Sequence, residues 1–210
     1  MFNSAASKAH FTFKLLGNSL ETRVLHFGVS EQISGIFVSQ LSLATVEEIK
    51  SFDNIIGKEA LLTIVNSDPI SGGGDRYLHG VVRSFRYTGR NGRFYLYAAE
   101  VVPTFWQFSL RKNSRIFQKK QAQEIVQQVL EDGGITSDRF RFALENTTRL
   151  RKFCVQYRET DFDFISRILE EEGIFYFFEH YQDKHIMVMS DTPAVHLPIQ
   201  GIKAITCNSH

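Results

Sequence analysis

The chain has 210 residues, 43% of them hydrophobic, and a formal net charge of +1. That length supports one large or two small domains with a buried core, and near-neutrality excludes whole-chain attraction to nucleic acid, an anionic membrane or acidic substrates. Cys154 and Cys207 stand 53 residues apart without metal-ligand spacing, which argues against a disulfide framework or a zinc site and points to folding in a reducing compartment.

The N-terminal MFNSAASKAHFTF has no continuous apolar stretch, and the longest apolar run, Ile174 to Phe178, is far short of a membrane span. Export by the general secretory route is not expected. His10 to Leu16 alternates Phe11, Phe13 and Leu15 with polar neighbours, and Arg23 to Val29, Gly35 to Leu43 and Ala60 to Val65 are β-branched or aromatic runs between turn residues. Such spacing predicts an antiparallel barrel or sandwich. Thr45 to Gly57 is compatible with a short helix, and Ser67 to Asp75 reads as a loop. Tyr77 to Tyr87 and Arg93 to Val102 form a strand pair whose connection, Thr88 to Gly92, contains the Asn-Gly dipeptide of a tight hairpin.

The character changes at Pro103. An aromatic stretch and the basic RKNSRIFQKK precede a helix over Gln121 to Asp132, with Ala122, Ile125, Val126, Val129 and Leu130 on one stripe and Gly133 as its stop. The boundary divides a first β-barrel-like module, 1–108, from a second module with two helices, 109–210. Residues 151 to 190 then run strand, helix, strand, turn, strand.

The densest chemistry lies in YRETDFDFISRILEEEGIFYFFEH, Tyr157 to His180. Thr160 and Asp163 fit a capping box, Gly173 fits a left-handed stop, and Phe162, Phe164, Ile165, Ile168 and Leu169 share the buried arc. Asp161 and Asp163 point apart around the axis, and Asp163 and Glu170 lie roughly 10 Å apart along it. They do not converge as a hydrolytic acid pair must. The helix dipole explains the first-turn acids, and Arg167 is an i+4 partner for Asp163. Glu170, Glu171 and Glu172 oppose the dipole, so they either form an exposed acidic turn or face a basic partner; Glu172 lies in line with the apolar stripe.

Other candidate sites are weaker. His180 would face His185 across a four-residue turn like half a metal site, yet no third ligand follows at a useful spacing, and His26, His79 and His196 read as isolated. SGGGDR lacks the Gly-Lys-Ser/Thr ending of a phosphate loop. Cys154 sits mid-strand, and no Gly-x-Ser-x-Gly elbow is present, so nucleophilic catalysis has no anchor. The basic residues Arg111, Lys112, Arg115, Lys119 and Lys120, and Arg139, Arg141, Arg149, Arg151 and Lys152, are interleaved with Phe117, Phe140 and Phe142. Without a nucleic-acid signature, they read as protein contacts or partners of the acidic helix rather than as a single-strand groove.

SRIFQ, the helix after it, and FCVQYRETDFDFISRILEEEGIFYFF closely resemble the VgrG spike proteins of bacterial type VI secretion systems, as do IIGKEALLTI, RYLHGVV and LRKNSRIFQ. The resemblance runs from about residue 10 to 192. It implies an α+β, phage tail hub-like fold of mostly antiparallel β-barrel modules with inserted helices, with no catalytic residue, cofactor or metal in this region. It also implies a homotrimer that joins the Hcp tube to a spike tipped by a PAAR protein, contacts baseplate components and carries effectors. Such a protein assembles in the bacterial cytoplasm and is then secreted or injected, without stable membrane insertion and without nucleic acid as a partner. A tail hub of a contractile phage or related injection particle is the second reading, and a carboxylate-dependent hydrolase is a third. The family continues into a completed second barrel, an OB-like module and a valine-glycine-rich spike, so the sequence reads as a portion of a longer protein or a shortened product. On the family reading, Glu170, Glu171, Glu172, Arg111 and Arg115 are the candidate subunit-interface residues.

Overall fold

A computed structural model describes residues 10–65 and 74–196. The N-terminal MFNSAASKA, most of the 67–75 loop with Gly72 and Gly73 of SGGGDR, and Cys207 lie outside the described residues. Strands β1 (His10–Leu15), β2 (Arg23–Ser30), β3 (Val38–Thr45), β4 (Glu59–Val65), β5 (Arg76–Asn91) and β6 (Phe94–Val102) form one antiparallel sheet in the order β1-β4-β5-β6-β3-β2. The sheet curls until its two edges meet: Phe11 of β1 packs edge-on against Phe27 of β2, with ring centroids 4.9 Å apart. Period-two alternation puts Phe13, Leu15, Leu41, Leu43, Leu62 and Tyr97 inside the curl.

The connection over Thr45 to Gly57 is not a helix. Its backbone groups are taken by side chains instead: Ile49 N–H donates to the buried Tyr97 hydroxyl at 2.9 Å, and Thr45 Oγ1 donates to the Glu47 carbonyl at 2.6 Å. Phe52 and Ile55 then pack onto the sheet. The β5–β6 pairing runs on to Asn91 opposite Phe94, so most of Thr88 to Gly92 is strand, and the turn is Gly92 and Arg93. Gly92 takes the left-handed φ of +57° that this two-residue turn requires.

A 3-10 helix, Thr104–Leu110, leads into β7 (Lys112–Lys120), α1 (Ala122–Asp132), β8 (Phe140–Ala143), β9 (Arg151–Thr160), α2 (Asp161–Glu171), β10 (Phe175–His180) and β11 (His185–Ser190). β7 pairs antiparallel with β9, making the basic RKNSRIFQKK segment a strand. β8 was hidden in the sequence as a short basic-aromatic stretch; it joins the edge of β11 in parallel, with Phe140 opposite Met187. The apolar stripes of α1 and α2 meet Phe105, Phe108, Phe117, Tyr176 and Met189 in a second core. Phe117 and Phe164 stack with centroids 5.6 Å apart, fixing α2 against the inner face of the β7–β9 ladder.

Both helices end on glycine, for different reasons. Gly173 takes φ +70° after α2, and Ile174 N–H returns to the Leu169 carbonyl at 2.8 Å. After α1, Gly134 is the left-handed residue at φ +87°, while Gly133 is required by packing, since a Cβ there would lie 2.1 Å from the Phe108 ring. Gly133→Ala is therefore expected to cost about 2 kcal/mol or more through overpacking. Gly134→Ala meets no atom within 4 Å and is expected to cost about 1 kcal/mol from its backbone alone. Urea unfolding of the two variants measures the difference; equal midpoints would show that Phe108 is not held against the α1 terminus.

Candidate functional site

The acids of the 157–180 segment have three different fates. Asp161, the first residue of α2, has no solvent exposure. Its carboxylate accepts from Asn113 Nδ2 at 2.9 and 3.0 Å, Gln156 Nε2 at 2.8 Å and Arg115, and Arg111 Nε stands 3.4 Å away. Burial alone raises its pKa, but the Asn113 and Gln156 hydrogen bonds and the Arg115 charge outweigh burial and hold it below the ordinary aspartate value. Thr160 caps the helix: its Oγ1 accepts from the Asp163 backbone N–H at 3.0 Å, and its hydroxyl donates to Asp163 Oδ2 at 2.6 Å.

At the other end, Arg151 of β9 reaches Glu171 Oε2 at 2.6 Å and also holds Glu172. Arg167 binds Glu159 at 2.7 Å and Glu171 at 3.0 Å, taking these partners in place of Asp163. Burial raises the Glu171 pKa, yet hydrogen bonds from Arg151 and Arg167 bring it below the ordinary value. Two of the three acids set against the dipole are thus neutralised by arginines of the same chain. Glu170 is exposed and has no ion-pair partner among the described residues. Apart from Glu170, the carboxylates from Glu159 to Glu172 are committed to a cap, a buried charge cluster and a clamp.

A second polar centre joins the two sheets. His79 of β5, which reads as isolated in the sequence, faces the His185 expected opposite His180; the His79 and His185 Nδ1 atoms are 3.0 Å apart. Thr104 N–H donates to His185 Nε2 at 3.0 Å. That leaves the His185 proton on Nδ1, where it is donated to His79, and places the His79 proton on Nε2, 4.0 Å from Glu59 Oε2. His180 Nδ1 accepts from the His79 backbone N–H at 3.1 Å, and its Nε2 lies 3.4 Å from Glu31. The two facing ring nitrogens are satisfied by each other, which is a hydrogen-bond geometry rather than a metal-ligand one. A cavity of about 150 Å³ adjoins this seam, lined in part by Glu59, Thr104, Arg139 and His185. Burial, with Arg139 and His180 nearby, pushes the His79 pKa down to about 4 against the pull of Glu59, and burial beside two other imidazoles pushes His185 down to about 2.

A family model described as the phage tail baseplate hub (GPD) matches residues 30–210. The chain belongs to the phage tail baseplate hub family. The hub chain is 36% identical over 166 residues to the type VI secretion system spike protein VgrG1b of Pseudomonas aeruginosa, covering 79% of this chain and 22% of that protein. It is 35% identical over 155 residues to the actin cross-linking toxin VgrG1 of Vibrio cholerae, covering 74% of this chain and 14% of the toxin. The chain therefore spans about a quarter or less of the length of these relatives. Among solved structures, the E. coli c3393 protein, a type VI secretion component similar to the T4 tail proteins gp27 and gp5, aligns with a TM-score of 0.79 at 21% identity over 89% of this chain and 51% of its own. The 43 kDa tail protein of prophage MuSo2 from Shewanella oneidensis aligns with a TM-score of 0.58 at 11% identity, covering 85% and 52%. These likenesses bear out the α+β, tail hub-like fold.

Of the residues singled out in the hub sequence, the structure brings Arg111 and Arg115 to Asp161, and Glu171 and Glu172 to Arg151, all within one chain. Sequence reasoning missed the burial of Asp161 and the convergence of His79 on His185. Asp161 is in phase with Phe164, Ile165 and Ile168 on the buried arc, a legible signal; His79 has no local signal, because its partner is 106 residues away.

Removing the Asp161 carboxylate leaves two arginines facing a buried, uncompensated site, so Asp161→Ala is expected to lose about 3 kcal/mol by urea unfolding. A loss under about 1 kcal/mol would contradict the charge cluster. The histidine seam has its own pH signature. Both folded-state pKa values lie below the ordinary 6.5, so the unfolded chain binds protons that the folded chain refuses, and stability is complete above pH 6.5 and falls as pH drops toward 4. With two such groups, the slope of unfolding free energy is expected to approach about 2.7 kcal/mol per pH unit near pH 5. His79→Gln, which keeps an acceptor for His185, should halve it; an unchanged slope would contradict the seam.

Proposed function

We propose that this chain forms part of a trimeric hub that connects the Hcp tube to the spike of a type VI secretion system and helps to deliver effectors into target cells. The reading is carried by its sequence identity to the VgrG spike proteins over most of the chain. It is supported by the commitment of the dense acids to holding α2 in place, which suits a rigid structural part. On this reading the PAAR tip, effectors and baseplate components are further partners, and the protein assembles in the bacterial cytoplasm before it is secreted or injected. Two hub modules, 1–108 and 109–210, are proposed within the chain, the second requiring further sequence of the kind found in the longer relatives. Arg111, Arg115, Glu171 and Glu172 are engaged internally, so among the candidate interface residues the contact to a sister subunit is assigned to Glu170.

The prophage tail protein with the same fold favours a second reading, the tail hub of a contractile phage or related injection particle. Deleting the encoding gene distinguishes the two. Loss of Hcp release into the medium, restored by a plasmid copy, is the outcome expected for secretion. Unchanged Hcp release with loss of infectious or injecting particles would transfer the assignment to the phage-like reading.

A further inference from the structure

The β7–β9 ladder has one face in the second core and the other open. Phe117 and Cys154 point inward, so the neighbouring positions point out: Ile116 opposite Val155, with Phe153 and Tyr157 on either side along β9. Phe153 and Tyr157 are each 67% exposed and Ile116 62%. The apolar side chains of this face present on the order of 400 to 500 Å², at the upper end of what a monomer leaves uncovered. Among the described residues β7 and β9 pair only with each other, so neither outer edge of this two-stranded ribbon carries a further strand. Exposed Lys112, Lys119, Lys152 and Arg158 surround the face and have no ion-pair partner among the described residues, and the Arg158 guanidinium lies 5.4 Å from the Tyr157 ring centre.

Two copies cannot use this face against itself, because an isologous contact would bring the cations of both copies together. The complement is on the far side of α2. A groove of about 480 Å³ is lined there in part by Ser166, Leu169 and Glu170 of α2 and by Gly173, Ile174 and Phe175. At 100° per residue, Ser166, Leu169 and Glu170 centre roughly 190° from Phe164, the residue stacked on the ladder. The groove mixes the apolar Leu169, Ile174 and Phe175 with the hydroxyls of Ser34 and Ser166, and its carboxylate is the unpaired Glu170.

We propose that the outer face of the β7–β9 ladder docks into the Glu170 groove of a second copy of this chain. Tyr157 and Phe153 enter the groove, and Arg158 meets Glu170. Because the two surfaces differ and lie on opposite sides of one core, the contact is head-to-tail, and repetition closes a ring. It rests on the trimeric hub reading and specifies which surfaces make it.

Sedimentation velocity of the full chain across micromolar concentrations, with circular dichroism of each variant, tests the proposal. Wild type is expected to form a trimer, and Phe153→Asp, Tyr157→Asp and Glu170→Arg should each weaken assembly at least tenfold without loss of secondary structure, these positions being exposed. Pairing Glu170→Arg with Arg158→Glu should recover most of the loss. A trimer untouched by the ladder variants would overturn the surface and leave the hub reading intact. Weakening without recovery in the swapped pair would overturn the groove as its partner. A wild-type monomer throughout would overturn the hub reading itself.

Discussion

Asp161 is a charged group with no access to water, and much of the second half of the chain is arranged around that fact. An ionised carboxylate so placed needs donors on every side. They come from three places: Asn113 and Arg115 on β7, Gln156 on β9, and Arg111 at the end of the 3-10 helix. These donors converge only when β7 and β9 are paired in their observed register and α2 begins where β9 stops. The buried acid thus ties ladder register and helix start together, while the apolar stripe of α2 supplies most of the burial. The Arg151 clamp on Glu171 and Glu172 does the same for the far end of the helix, at a less buried site.

The histidine seam plays a corresponding part between the two sheets. Its hydrogen bonds run in one direction, from Thr104 N–H to His185 and from His185 to His79, and the chain of donors ends toward Glu59, which Arg139 holds at 2.9 Å. Phe37 covers the seam edge-on, with ring centroids 4.6 Å from His180 and 5.9 Å from His185. A neutral pair with fixed proton positions makes a rigid joint. Rigidity of that kind suits a structural part of a tail hub.

Elements with strong local periodicity were legible in the sequence: the six strands of the first sheet, both helices, the Thr160 cap of α2, and the strand pair after α2. Elements governed by distant partners were not. The Thr45 to Gly57 segment has helix-compatible spacing, yet Tyr97, about 50 residues on, takes its backbone donor. β8 is four residues long and exists because β11 offers an edge. The charges illustrate the same limit. Dipole and wheel arguments scatter the acids around α2, and Arg167 with Glu171 is a legible i,i+4 pair, but they could not show that Arg151 would neutralise Glu171 and Glu172, because that contact depends on where β9 lies.

The buried charge cluster at Asp161 holds the start of α2 in place. A double-mutant cycle between Asp161 and Arg115, using Asp161→Asn and Arg115→Met and read by urea unfolding, measures it most directly. A buried, hydrogen-bonded pair should show a coupling energy of about 2 kcal/mol. A coupling near zero, with both single variants as stable as the wild type, would contradict the account.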